Sequence, residues 1–331
     1  MRKMSFAICI VMMISLCFNG ALAAPKRNDD FIYEAKGKGI RIIKFIGDET
    51  ELLSVPSEID GKPVKTIGSN AFEDCTVDTI VLPETISTIE EDAFYSSKCK
   101  EIIFSPNSKQ LTITGGAFFL CVNLESLFFP SSVSFKKGKL GSICPFRAGN
   151  YLKNILIDDN NKDYELLDGI LITKKTKELV LYPSGNKEKT IRLPDGIKSI
   201  GKYAMMETKS TDLIIPDSVT TIENAAFFSN DIERITIGSG VRKMGEDTFR
   251  FSRKLKEVII SEGTTVIGRG AFYDCPHLEY IIIPNSVKEI GKNAFGDNYK
   301  VKIIAEAKSK AAQYAMKNGL EVIDPEEWSN R

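Results

Sequence analysis

The chain has 331 residues, 43% hydrophobic and 27% charged, a composition that excludes a disordered or collagen-like protein. Its 44 basic and 44 acidic residues give a formal net charge of zero, so nucleic-acid binding through a basic surplus is not expected. The length suggests about two globular domains, but a repeat protein escapes that limit because each repeat contacts only its neighbours.

The N-terminus has the pattern of a secretory signal peptide. Arg2 and Lys3 precede an apolar run over Phe6–Phe18, and Ala21–Ala23 supplies an A-x-A cleavage site. The run is shorter than the roughly 20 residues that span a bilayer. We therefore predict that residues 1–23 are a signal peptide, that the mature chain begins near Ala24, and that it is secreted or held at the cell surface without a stable transmembrane segment.

Cysteine usage argues against a complete disulfide framework. Cys17 offers a lipoprotein alternative, which Leu16 before it disfavours. The mature chain keeps an odd number of cysteines, namely Cys75, Cys99, Cys121, Cys144 and Cys275. Three of them follow a phenylalanine by three residues, so we interpret them as small buried hydrophobic residues. Whether Cys99 and Cys144 pair stays open.

Phenylalanine recurs with a period of 22–24 residues. Phe72, Phe94 and Phe118 are 22 and 24 residues apart, and the C-terminal half repeats the spacing at Met205, Phe227, Phe249, Phe272 and Phe295. A fixed period of this length with Leu and Ile steps is typical of leucine-rich repeats. One unit cannot bury its own apolar face, so stacked units are expected to share one core.

The last regular unit shows how each repeat should fold. Leu278, Ile281 and Ile283 follow L-x-x-I-x-I, whose final alternation predicts a strand with Ile281 and Ile283 facing inward. Val287 and Ile290 should form the next wall of the coil. Ala294-Phe295 should fill the core.

The segments IPDSVTTIENAAF (Ile215–Phe227) and IPNSVKEIGKNAF (Ile283–Phe295) resemble the BspA-like leucine-rich repeats of bacterial surface proteins. The resemblance implies a mostly β repeat solenoid with a parallel sheet and short turns. It implies an N-terminal cap and first coil at residues 24–63, repeats over 64–304, and a C-terminal helix cap and tail at 305–331. It also implies adhesion to host matrix proteins, host cells or other bacteria.

The period breaks between residues 134 and 190. Ser134–Asn150 reads as an irregular loop, and two strand-like runs, Gly169–Thr173 and Glu178–Tyr182, flank the polar Lys174–Lys177. This arrangement predicts a β-hairpin inserted into the solenoid.

No pattern of catalytic or metal-binding residues emerges. His277 is the single histidine and occupies a repeat corner, so neither a triad nor a dyad with Cys275 is expected. Asp159, Asn161 and Asp163 have the first spacings of a calcium loop, but the glycine and the final glutamate of that motif are missing. We expect a non-enzyme without a cofactor or a metal.

One column of residues is predicted to point out of the coil. In each strand, the residue between the two inward positions should face outward, and most members of this column are apolar: Val81, Ile103, Phe128, Leu156, Arg192, Ile214, Thr236, Ile259 and Ile282. The neighbouring outward column is mostly polar and includes Tyr280. An apolar ladder flanked by polar residues is typical of a protein-binding surface. The alternative is that β-branched residues simply stack well on a parallel sheet.

The leading hypothesis is an exported, non-catalytic repeat protein that binds an extracellular protein or cell-surface ligand through its sheet face. The candidate partner-binding residues are Val81, Ile103, Phe128, Leu156, Ile214, Ile259, Ile282 and Tyr280. Two alternatives remain: a carbohydrate-binding or carbohydrate-active exported protein, and a structural component of the cell envelope.

Overall fold

Short strands follow one another through almost the whole computed structural model, which describes residues 25–146, 152–185, 188–296 and 298–330. The predicted signal peptide and Cys17 lie outside the described residues. The cap and first repeats contain β1 (Lys26–Arg27), β2 (Phe31–Lys36), β3 (Gly39–Phe45), β4 (Leu52–Ser54), β5 (Glu58–Ile59), β6 (Lys62–Ile67), β7 (Thr79–Leu82), β8 (Thr88–Ile89), β9 (Glu101–Phe104), β10 (Leu111–Thr114), β11 (Ser126–Phe129), β12 (Val133–Lys136) and β13 (Asn154–Ile157).

The insertion and the later repeats complete the chain. They contain β14 (Tyr164–Leu167), β15 (Ile170–Thr173), β16 (Glu178–Leu181), β17 (Thr190–Arg192), β18 (Ser199–Ile200), β19 (Asp212–Ile215), β20 (Thr221–Ile222), β21 (Arg234–Ile237), β22 (Lys243–Met244), β23 (Glu257–Ile260), β24 (Val266–Ile267), β25 (Tyr280–Ile282), β26 (Glu289–Ile290), β27 (Lys302–Ile304), α1 (Lys310–Lys317), β28 (Glu321–Ile323) and α2 (Pro325–Ser329).

The coils stack into front and back sheets. The first front sheet has the order β13-β11-β9-β7-β4, and the second has the order β17-β19-β21-β23-β25-β27-β28. The first back sheet runs from the cap strands through β6, β8 and β10 to β12, and the second runs from β14 to β26. Neighbouring repeat strands are parallel, for example β7 with β9 and β19 with β21. The predicted repeat solenoid is therefore confirmed.

Each coil is closed by the repeated phenylalanine. Phe94 and Phe118 are fully buried, and the Phe249 ring stacks between Phe227 and Phe272 at centroid distances of 4.9 and 5.4 Å. The residues two before and two after Phe94, Asp92 and Ser96, have positive φ angles of 60° and 55°. Left-handed backbone on both sides turns the chain sharply enough to aim the ring into the core.

Both ends of the solenoid carry caps. At the N-terminus, the antiparallel pair β2–β3 joins the parallel stack through β6. At the C-terminus, Ser309 accepts a hydrogen bond from the Ala312 N–H and caps α1. Helix α1 buries Ala311, Ala312 and Ala315, which confirms the predicted capping helix.

The inserted hairpin is present but is larger and more deeply buried than the sequence suggests. Strands β15 and β16 are antiparallel, and β14 pairs with the other side of β15. Leu171, Val180 and Leu181 pack into the first hydrophobic core, whereas Ile170 and Leu179 pack into the second. The hairpin therefore lies between the two hydrophobic cores and contributes side chains to both. The segment predicted as an irregular loop from Ser134 begins within β12.

Candidate functional site

In the first front sheet, the residues of the predicted outward column lie side by side and point out of the coil. Val81 is the register partner of Ile103, and Phe128 is the partner of Leu156. Ile103, Phe128 and Leu156 are 41%, 40% and 52% exposed, although the strand residues on either side of each are more buried. The alternation arises because successive strand residues point to opposite faces.

The flanking column of this sheet carries little charge. It consists of Thr79, Glu101, Ser126 and Asn154, with Leu52 added at the first strand as the register partner of Thr79. Leu52 is exposed and was missed in the sequence, although the run Glu51-Leu52-Leu53-Ser54 has the same alternation as the later strands. The first front sheet thus presents an apolar column beside mostly neutral polar side chains.

The second front sheet carries the same two columns, but they differ from those of the first sheet in exposure and charge. Ile214, Ile259 and Ile282 point outward but are only partly exposed. The flanking column contains Asp212 and Arg234, whose Oδ1 and Nε atoms lie 2.6 Å apart. The hydrogen bond from Arg234 lowers the pKa of the Asp212 carboxyl. Ion-paired side chains therefore line the apolar column here.

Tyr280, the last predicted site residue, is partly covered. Its ring packs against Trp328 of α2, with centroids 4.5 Å apart. Burial, together with a hydrogen bond to Glu257, raises the pKa of Tyr280 to about 12. The sequence placed Trp328 in a tail, and no local pattern indicated that the tail folds onto the sheet face.

Among the described residues, no strand pairing joins the two front sheets. Leu156 and Arg192 hold the same outward position in β13 and β17, but within these ranges β13 pairs with β11 alone and β17 with β19 alone. A cleft of about 510 Å³ lies between them, lined by Leu156 and Arg192 at the walls and by Leu166 and Ile170 of the hairpin. The candidate residues therefore form two groups, a division that the repeat spacing did not predict.

The histidine and cysteine side chains that were considered for catalysis occupy ordinary structural positions. His277 is exposed on a turn, and the Cys275 thiol donates to the Phe249 carbonyl from a buried position. Burial raises the pKa of the Cys275 and Cys144 thiols to about 12. The described cysteines are free and buried, as expected for small hydrophobic residues.

The segment whose spacing resembles the start of a calcium loop forms hydrogen bonds with the surrounding backbone. Asn161 is buried, donates to the Ser131 and Val133 carbonyls, and accepts from the N–H groups of Asp163 and Tyr164. Over the described ranges, no three or more His, Cys, Asp or Glu side chains are grouped to hold a metal ion. Within the same ranges, no helix has both the length and the apolar character needed to cross a bilayer.

Comparison with known proteins identifies a matching family and solved structures with a similar fold. Residues 53–162 and 183–302 match the BspA type leucine-rich repeat region, in six copies. No curated protein matches the chain.

Two solved structures share the solenoid. A leucine-rich cell surface protein from Faecalibacterium prausnitzii A2-165 is 19% identical with a TM-score of 0.51, covering 90% of this chain and 97% of that one. A leucine-rich repeat protein from Eubacterium ventriosum is 16% identical with a TM-score of 0.59, covering 84% and 83%. At these identities the likeness concerns the fold alone.

Proposed function

The chain belongs to the BspA-type leucine-rich repeat family, and from this premise we propose that it is an exported, non-catalytic protein that binds an extracellular macromolecule. The ligand is a protein or a cell-surface component, and the binding surface is the first front sheet. The function is adhesion to host matrix proteins, host cells or other bacteria.

The observation that carries this proposal is the exposed apolar column. Ile103, Phe128 and Leu156 stand on consecutive strands of one sheet, with mostly neutral polar side chains beside them. Contiguous apolar surface rimmed by polar groups marks protein interaction sites. Burial of such side chains contributes roughly 25 cal/mol per Å² of apolar area removed from water, without any reacting group.

The second front sheet supports recognition less directly. Its outward isoleucines are partly buried, and its charged neighbours pair with each other, as Asp212 does with Arg234. A ligand that covered this sheet would have to desolvate those ion pairs, which costs free energy. The first front sheet is therefore the main contact surface, and Tyr280 lies outside it.

A binding panel tests the ligand class. The chain from Ala24 would be applied to immobilised matrix glycoproteins, to whole bacteria and to polysaccharides. We expect saturable binding to at least one protein or cellular probe. Binding to polysaccharides alone would contradict the proposal and favour the carbohydrate alternative, and no binding to any probe would favour a structural role.

Export has its own test, which is the N-terminal sequence of the protein from its native cells. The proposal expects a mature chain that begins at Ala24, found outside the cytoplasm. A chain that retains Met1 and residues 2–23 would contradict it.

A further inference from the structure

The cleft between the front sheets exposes strand edges as well as side chains. In a parallel strand, the N–H and C=O groups of successive residues point alternately to the two sides. In β13, the N–H groups of Asn154 and Asp158 donate to the carbonyls of Glu125 and Phe129 in the preceding coil. The N–H and C=O groups of Ile155 and Ile157 therefore point toward the cleft.

The opposite wall has the complementary arrangement. On either side of β17, the Leu193 N–H donates to the Ile214 carbonyl, and the Lys189 carbonyl accepts from the Asp212 N–H. The N–H and C=O groups of Thr190 and Arg192 consequently face the cleft. In the part of the chain that the structure describes, β13 and β17 have no strand partner on this side, and these cleft-facing groups make no backbone hydrogen bond.

The inserted hairpin causes the gap between β13 and β17. It lies between the two cores and continues the back sheet through β14, β15 and β16. Over residues 152–185 and 188–296, the front sheets contain no strand to match this addition. One end of the cleft is closed where the Gly185 N–H donates to the Leu152 carbonyl at 2.7 Å.

The apolar surroundings show the effect of the missing neighbour. Ile157 is partly exposed, whereas the equivalent residues Phe129 and Ile215 are 0% and 1% exposed. Leu156, beside it, is the most exposed apolar member of its column. The site therefore combines unpaired backbone donors and acceptors with an apolar floor, the two features that an extended peptide satisfies together.

The charged side chains that line the cleft balance, Lys153 and Arg192 against Asp168 and Glu188. We propose that this cleft binds an extended segment of a partner polypeptide that carries no net charge and adds a strand to the open edges of β13 and β17. The segment would span about four residues, or roughly 13 Å, with apolar side chains directed toward Leu166 and Ile170. Backbone pairing would supply affinity, and the side-chain alternation would supply specificity. The inference extends the proposed function by adding a peptide site to the sheet face.

The probe is a labelled synthetic peptide with the sequence IERITIGS, which occurs in this chain at residues 232–239. Its core, Arg234–Ile237, already pairs on both sides with parallel strands in the second front sheet. The control peptide has the same side chains but carries N-methyl groups at the positions of Ile235 and Ile237. Methylation removes two backbone donors, so strand addition predicts an affinity loss of roughly tenfold or more by fluorescence anisotropy.

Variants of the protein locate the site. Arg192→Pro removes a cleft-facing N–H that β19 does not use, while Arg192→Ala removes the same side chain and keeps that N–H. Because both variants lack the arginine side chain, we expect Arg192→Pro to bind the peptide roughly tenfold more weakly than Arg192→Ala, with circular dichroism confirming that both fold. The peptide control keeps the test decisive if Arg192→Pro does not fold.

The peptide assays would overturn the inference if the plain peptide did not bind, if the methylated peptide bound equally well, or if folded Arg192→Pro bound the peptide as tightly as Arg192→Ala. A chain dimer that Arg192→Pro abolishes in sedimentation would also overturn it, by assigning the cleft to a second copy. Failure of these arms leaves the proposed function intact, because the panel probes the column at Ile103 and Phe128. Peptide binding together with an empty panel would instead count against the proposed adhesion and leave the cleft inference standing.

Discussion

Trp328 packs against Tyr280 with ring centroids 4.5 Å apart, so the last helix covers the C-terminal end of the second front sheet. Because Trp328 is the single tryptophan, its fluorescence reports this contact. We predict that Tyr280→Ala shifts the emission to longer wavelength and increases quenching by acrylamide. Tyr95→Ala, which removes a ring that packs on Phe119 in the first half, should leave the emission unchanged, and an unchanged Tyr280→Ala spectrum would refute the contact.

The turn before Phe227 holds an alanine in a left-handed conformation. Ala225 has φ of 55°, a region that is unfavourable by roughly 1 kcal/mol for a residue with a Cβ. We predict that Ala225→Gly raises the free energy of unfolding by up to about 1 kcal/mol. The neighbouring Ala226→Gly should lower it by a similar amount, and urea titrations that ranked the two variants in the opposite order would disprove the assigned turn.

The stacked rings should dominate the stability of the second half. Phe249 is completely buried between Phe227 and Phe272, so Phe249→Ala should cost about 3–5 kcal/mol through lost burial and a cavity. Phe128→Ala, at an exposed position of the front sheet, should change stability by less than about 1 kcal/mol. Comparable losses in chemical unfolding would contradict the different placement of the two rings.

Glu90 links the N-terminal cap to the repeats and makes that link sensitive to acid. Burial favours its neutral form, but hydrogen bonds from Arg41 and Lys36 outweigh burial and lower the pKa of Glu90 to about 2. The carboxylate lies 2.6 Å from Arg41 Nη2 and 2.9 Å from Lys36 Nζ. It also accepts from the Ser69 N–H at 3.1 Å.

The pH dependence follows from the direction of that shift. The unfolded carboxyl titrates near 4.5, so the stabilisation from Glu90 is present above that pH and is lost as the pH falls toward about 2. The contribution is on the order of 3 kcal/mol. Glu90→Gln should lower stability at neutral pH and reduce the acid dependence in urea titrations, and an unchanged pH profile would show that the ion-paired network contributes nothing.

The repeat geometry was predictable because each unit carries the same local pattern. The period of Phe227 and Phe249 located the stacked core, and the alternation around Ile281 located the inward and outward faces of the strands. The outward placement of Ile103 and Phe128 followed from that alternation alone. Their greater exposure compared with Ile214 did not, because it depends on the neighbouring side chains.

The division of the front sheet could not be derived from the repeat. The sequence suggested a hairpin at Gly169–Thr173 and Glu178–Tyr182, but not a third strand at Tyr164–Leu167. Apolar residues on both faces of β15, such as Leu171 and Ile172, show in hindsight that the insertion is buried. The contact of Trp328 with Tyr280 joins distant segments, so no local spacing could predict it.

The most direct measurement of the central claim compares two variants of equal added charge in the binding panel. The first carries lysine at Val81, Ile103 and Phe128 of the front-sheet column. The second carries lysine at three apolar positions outside both front sheets, namely Val122, Leu140 and Met316, which are 45%, 44% and 67% exposed.

Three cations placed in an apolar contact surface should weaken binding of the panel's protein or cellular ligand by at least about a hundredfold. The control variant should bind within about threefold of the native chain, and circular dichroism should show that both fold. Equal binding by the two variants would contradict the assignment of the first front sheet as the adhesive surface.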